Sequence, residues 1–290
     1  MKIVLAYLIP IDEWQSYGPS ARKFAERYGR FAPEIDHELL VMCCNGPDKL
    51  SATNDSDENG RITKHSAGSG SVTDDHGGND HDKNEVFAGV PARFESYHGT
   101  GWDCGAAQYA AQIVDCDFLV CANAGVYFWR AGWLRRLAEA RAEHGEGLYG
   151  ASASYETLPF VPGEINPHIR TSFYGCDPKT FRQFPFRIDS REKCFQFESG
   201  EWNFTRWFMD RGQTCQMVTW DGCYQSQDFR TPPNIFRRGD QSNLIVRDRH
   251  MDMYELADRK RRGELEKFAD GGLPRDLSGT RDVSAHGKVC

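Results

Sequence analysis

Residues 92–137 constrain the fold more than any other stretch of the chain. They open on a strand-like run, 92–97, and enter the turn His98-Gly99-Thr100-Gly101-Trp102. Its two glycines let the backbone turn left-handed or lie close to a ligand. Asp103 takes the place of a helix N-cap, and the proline-free, alanine-rich run 104–114 predicts a helix. The apolar run 118–122 has the length of a buried parallel strand and stops at Asn123-Ala124-Gly125. An aromatic stretch, 126–129, leads to a second amphipathic helix over 131–137. Strand, glycine turn, helix, strand, helix is a βαβ unit, whose crossover is right-handed. Open α/β sheets bind ligands outside the carboxyl ends of their strands. Two such ends lie here, Tyr97 to Asp103 and Asn123 to Gly125, and the alternative is that both turns merely connect elements.

The flanking sequence extends this α/β pattern. A continuous apolar run predicts a central strand over 2–9, ended by Pro10. A loop is expected over 11–18, a helix over 19–31 and a second strand over 37–44, closed by Asn45-Gly46-Pro47. Residues 51–85 hold only four apolar side chains, too few to offset the entropy of ordering, so a flexible polar insertion is expected. His65, His76 and His81 within it read as part of a mobile loop before they read as metal ligands. Further strands are predicted over 147–154, 168–176 and 214–220, with a proline-interrupted, lid-like loop at 155–167. Helices are predicted from Asp177-Pro178 and over 203–211. One domain, 1–262, is expected, followed by a loosely ordered polar tail, 263–290.

Composition excludes some functions. A formal net charge of -7 argues against general nucleic-acid binding. The apolar run 3–9 is too short to span a bilayer and lacks a cleavage site, so no membrane segment or signal peptide is expected and the cytoplasm is the expected location. The ten cysteines form no C-x-x-C pair, so buried free thiols in a reducing compartment are expected.

The order "GWDCGAAQYAA … DFLVCANAGVYF … GWLRRL" resembles the nucleotide-sugar-binding half of family-2-like glycosyltransferases with the GT-A fold. The resemblance covers roughly the first two thirds of the chain. It implies a GT-A-like, Rossmann-like, mostly parallel central sheet flanked by helices. It also implies a hexosyl- or deoxyhexosyltransferase that moves a sugar from a nucleotide-diphosphate sugar to a saccharide acceptor hydroxyl with inversion. Tyr97, Gly101, Asp103, Asn123 and Gly125 would line the donor site, and Glu198 would be the general base, with Glu201 and Asp221 as rivals. For Glu198 the plain alternative is a helix cap.

One departure matters as much as the likeness. Where the family carries Asp-x-Asp, this chain has Asn123-Ala124-Gly125. Mg²⁺ or Mn²⁺ wants carboxylate oxygens, which this tip does not offer. Three readings follow. A metal sits elsewhere, for example on Asp248 or His250; or Arg170, Arg238 and Arg249 neutralise the diphosphate or contact the acceptor; or the chain is a non-catalytic GT-A-like binding module in a polysaccharide-synthesis assembly. A Rossmann-type dehydrogenase or methyltransferase is disfavoured, because no glycine fingerprint follows the first strand.

Overall fold

The computed structural model describes residues 1–11, 13–44, 85–156 and 166–272. The insertion expected over 51–85 (Glu85 apart), its three histidines, the Asn45-Gly46-Pro47 turn, most of the loop 155–167 and the chain beyond 272 lie outside the described residues.

The elements run β1 (Ile3–Pro10), α1 (Trp14–Arg30), β2 (Glu38–Cys44), β3 (Arg93–Tyr97), α2 (Trp102–Ile113), β4 (Phe118–Asn123) and α3 (Trp133–His144). Next come β5 (Gly147–Gly150), β6 (Ala153–Ser154), β7 (His168–Ile169), β8 (Phe173–Cys176), α4 (Pro178–Phe181), α5 (Arg191–Ser199) and α6 (Phe204–Asp210). The chain then forms β9 (Thr214–Val218), β10 (Cys223–Tyr224), α7 (Arg249–Leu256) and α8 (Arg259–Ala269). Eight strands form one sheet in the order β10-β9-β5-β8-β4-β1-β2-β3, and β6 pairs with β7 in a two-stranded sheet.

Strands β3, β2, β1 and β4 are parallel neighbours. From β1 the chain moves outward to β2 and β3, then returns over α2 to β4 on the other side of β1. The strand order therefore reverses between β1 and β4, and a crevice opens there at the strands' carboxyl ends. Beyond β4 the sheet is mixed, because β8 runs antiparallel to both β4 and β5 while β5 and β9 are parallel.

The unbroken apolar run of β1 is explained by cover on both faces. Val4, Ala6 and Leu8 pack with Cys104, Ala107 and Ala111 of α2 and Phe197 of α5. Ile3, Leu5, Tyr7 and Ile9 pack with Phe24 of α1 and Trp133 and Leu137 of α3. Each such side chain, fully buried, contributes about 1.5–3 kcal/mol. The alanines of α2 let that helix lie close on the sheet, and Ala106, Ala107, Ala110 and Ala111 are all buried.

Several predicted boundaries move. α1 begins at Trp14, within the expected loop, and Pro19 lies inside it. Its first turns are held by the buried Trp14, whose indole covers Gly18. The strand expected over 168–176 is broken into β7 and β8, and the break at Arg170–Ser172 turns those side chains into the protein instead of along a sheet. A helix unforeseen in the sequence, α5, covers 191–199. The first residues of the tail expected from 263 are helical, since α8 continues to Ala269, whose carbonyl accepts the Tyr155 N–H at 2.9 Å.

Candidate functional site

The crevice between β1 and β4 holds a cleft lined by Leu8, Pro10, Tyr17, Trp102, Asp103, Asn123, Ala124, Gly125 and Arg249. The glycine turn and the Asn123 tip are thus opposite walls of one space, at the place where an open α/β sheet binds its ligand. The cleft is narrow, about 40 Å³. Ligand pockets usually hold several hundred Å³, so the space between these walls is much smaller than a whole nucleotide-sized ligand requires. A wider depression lies elsewhere, between Arg22, Ala25 and Glu26 of α1 and residues 85–90. It adjoins none of the groups with chemistry described below.

The first wall is built around Tyr97. Its hydroxyl accepts the Gly101 N–H at 3.3 Å, and burial raises its pKa. A Cβ at Gly99 or Gly105 would overlap that ring, and one at Gly101 would overlap the Ile188 carbonyl oxygen. The glycines are therefore needed for close approach. Asp103 is not the N-cap that its position suggested: Gly101 occupies that place, and Asp103 lies in the first turn of α2. Its Oδ1 accepts the Cys104 N–H at 3.0 Å, and burial raises its pKa. Trp102, half exposed at the mouth, has φ +48°. A bulky residue in that region is strained, a state that persists where surrounding structure enforces it.

The second wall is the end of β4. Asn123 Oδ1 accepts the Gly125 N–H at 3.2 Å, and the buried Tyr7 hydroxyl donates to the Ala124 carbonyl at 3.1 Å. The tip is thus rigid and carries no carboxylate. Divalent magnesium or manganese finds no hard anionic ligand there, so the residues at this tip do not fit such an ion.

Arg249 closes the cleft. Residues 244–247 are tied to the site by paired backbone bonds between Tyr127 and Arg247, at 2.9 and 3.0 Å. Asp248 then caps α7, its Oδ1 accepting from His250 N and Met251 N at 2.8 and 3.1 Å. Arg249 follows, its side chain beside Gly125. Among the described residues no carboxylate lies in ion-pairing distance of it.

Arg170, Asp248 and His250 form a buried cluster behind this point. Arg170 Nη1 donates to Asp248 Oδ2 at 2.8 Å and to Ser152 Oγ at 3.2 Å, and its guanidinium stacks 3.7 Å from the Phe236 ring centroid. Burial alone would raise the Asp248 pKa, but Arg170, His250 and the Met251 N–H together outweigh it and hold the carboxyl well below the usual range. Arg170 Nη2 lies 3.1 Å from His250 Nδ1. A guanidinium only donates, so Nδ1 must accept, and the ring proton sits on Nε2. Burial lowers the His250 pKa to about 4, so the ring is neutral near pH 7. Asp248 and His250, the two expected metal ligands, are here engaged with protein partners: both carboxylate oxygens accept hydrogen bonds, and the His250 Nδ1 lone pair faces Arg170.

Glu198 lies in the last turn of α5, not before a helix start, so it caps nothing. Thr171 Oγ1 donates to its Oε1. Burial and the charge of Asp103 push its pKa up to about 7, against the pull of Thr171 and Arg170. A carboxyl with that affinity takes a proton far better than an ordinary glutamate. The rivals have other situations. Glu201 is exposed, and Asp221 is an exposed turn residue that accepts from Thr219 Oγ1 at 2.6 Å. Arg238 is not brought to the cleft, because it turns to the Arg230 carbonyl and lies 3.7 Å from Asp270.

The structure therefore gathers Asp103, Asn123, Gly125 and Arg249 around one cleft, backs it with Tyr97 and Gly101, and sets Glu198 within electrostatic reach of Asp103. Tyr17, Trp102 and Thr171 were not singled out, although Tyr17 falls in the loop expected after the first strand and Trp102 in the glycine turn named as a ligand end. Nine cysteines are described, all free and eight of them buried, as expected. Among the described residues no helix is long and apolar enough to cross a membrane.

No family model matches the chain, and no curated protein does. Among solved structures, an active-site mutant of LgtC is 13% identical over 63% of this chain and 59% of its own, with a TM-score of 0.38. Mouse xyloside xylosyltransferase 1 is 9% identical over 73% and 83%, TM-score 0.40. A glucose-1-phosphate thymidylyltransferase from Bacillus anthracis, described as putative, is 14% identical over the same shares, TM-score 0.40. The matched region spans about three fifths of the LgtC chain. At these scores the likeness bears on neither donor nor reaction, and the function rests on the site itself.

Proposed function

We propose that the chain is an inverting glycosyltransferase that moves a sugar from a nucleotide-diphosphate sugar to a saccharide acceptor hydroxyl, without a metal at the β4 tip. The observation that carries this reading is the cleft at the strand-order reversal, which joins Asp103, Asn123 and Arg249 in one wall-to-wall space. Asp103 and Asn123 are suited to ribose and sugar hydroxyls, which offer donors and acceptors to a carboxylate and an amide.

The reaction needs one base and one sink for negative charge. The free Glu198 oxygen takes the proton from the acceptor hydroxyl. The acceptor oxygen bonds to the anomeric carbon from the face opposite the diphosphate, and the bond from that carbon to the diphosphate oxygen breaks. Its electron pair leaves with the phosphate. Arg249, at the cleft and with no carboxylate in ion-pairing distance among the described residues, meets that charge, and a guanidinium suits phosphate geometry. Arg170 is committed to Asp248 and acts through His250, whose Nε2–H it fixes as a donor.

The test offers UDP-, GDP- and dTDP-sugars with and without Mn²⁺, reading thermal shift and then release of nucleoside diphosphate to a saccharide panel. Glu198→Gln should bind donor within about twofold of the parent and lose about 10²–10⁴ in transfer rate, the usual worth of a positioned base. Arg249→Ala should weaken donor binding by about 10–100-fold, from a charge-assisted contact worth roughly 1.5–3 kcal/mol. Stabilisation by no nucleotide, or full transfer by Glu198→Gln, would overturn the reading.

A further inference from the structure

Behind the glycine turn two cysteines from distant parts of the chain meet a carboxylate. Cys104 belongs to α2 and Cys194 to α5, and both are buried, at 3% and 0% exposure. A ligand oxygen of Asp103 and the two sulfurs all lie within 4.8 Å of one another. In a tetrahedral zinc site, bonds of about 2.3 Å place two sulfurs roughly 3.8 Å apart. The observed separations are of the order such a site requires.

We propose that Cys104, Cys194 and Asp103 bind one zinc ion, with a fourth position left open. The donor set selects the metal. Two thiolates and one carboxylate suit borderline-soft Zn²⁺ and disfavour Mg²⁺ or Ca²⁺, which want oxygen alone. One outer contact orients a ligand, since the Cys104 N–H fixes Asp103 Oδ1 at 3.0 Å. The Cys194 thiol donates to the Gly101 carbonyl at 3.2 Å, a hydrogen bond that the thiolate gives up when it binds metal. The local charge also calls for a cation. Asp103 and Glu198 both disfavour ionisation of Cys104 and of Cys194, and Asp103 does the same to Glu198. Arg249, across the cleft, is the cation that acts on Asp103. A dication among these groups would compensate them and hold the glycine turn to α5. Binding displaces the thiol protons, so affinity rises with pH.

The site shares Asp103 with the cleft of the transferase reading, and its test is distinguishable because it reads metal and not turnover. The full chain, kept reduced and stripped with a chelator, is titrated with Co²⁺ and then Zn²⁺. One equivalent of Co²⁺ should give a thiolate-to-cobalt charge-transfer band that Zn²⁺ bleaches. Cys104→Ala and Cys194→Ala should each abolish the band, Asp103→Asn should weaken zinc binding at least tenfold, and Cys215→Ala should leave the band intact. Circular dichroism of the metal-free variants checks folding, and if one alanine variant does not fold, the serine variant at the same position is used. No band with the parent protein, or a band that survives loss of both cysteines, would overturn the proposal.

Discussion

Replacing Glu198 by glutamine tests the electrostatics of the site without any substrate. Glutamine has nearly the shape of a protonated glutamate and keeps an oxygen to accept the Thr171 hydroxyl. What it removes is the ability to ionise. The folded pKa is raised from 4.5 to about 7, so between those values the folded state holds a proton that the unfolded state releases. Stability then falls as pH rises through this window, since the unfolded state binds fewer protons. At about 1.36 kcal/mol per pH unit, the ionised group costs on the order of 3 kcal/mol above pH 8 and on the order of 1 kcal/mol at pH 5. The variant lacks this penalty. Its stability advantage over the parent should widen by roughly 2 kcal/mol between pH 5 and pH 8.5, or roughly 4 °C in Tm for a chain of this size. Thermal melts of both proteins across that range measure it. Parallel Tm curves would show that Glu198 ionises freely, and the argument from burial and Asp103 would fail.

Two further substitutions probe the walls. Gly101→Ala should cost 2 kcal/mol or more, because the new Cβ meets the Ile188 carbonyl and the Gly105 Cα, both backbone, whereas Gly29→Ala in α1, with nothing within 4 Å, should change Tm by only a degree or two. Arg170→Met should lower stability by about 3–5 kcal/mol in a denaturant titration, because it leaves the Asp248 carboxylate buried without its partner; adding Asp248→Asn should recover part of the loss, and no recovery would mean that packing against Phe236 dominates.

The α/β class and both walls of the cleft were legible in the sequence because each rests on local signals. β1 and β4 are continuous apolar runs, and the turn at Gly101 announces itself by glycine content. Other features depend on contacts between distant residues. The nine residues of α5 bury only Cys194 and Phe197, so they show no apolar stripe, and without that helix Glu198 read as a residue outside a helix start. Spacing could not reveal that Cys104 meets Cys194, or that Arg170 is spent on Asp248 instead of a diphosphate. The start of α1 was hidden by Pro19, whose presence argued for a helix beginning there, while the burial of Trp14 extends the helix past it. For the polar insertion the question stays with the sequence, since 51–84 lie outside the described residues.

The placement of Arg249 has a consequence for the protein's synthesis. A ribosome delivers β1, the glycine turn and β4 long before α7, so an emerging chain can assemble two sides of the cleft and still lack the cation that closes it. On the proposed function, affinity for a nucleoside diphosphate should therefore appear late and abruptly, as a sign that the last helices have docked. An anionic ligand present during refolding would act as a clasp between early and late segments, favouring chains that have completed the fold over those stalled part-way.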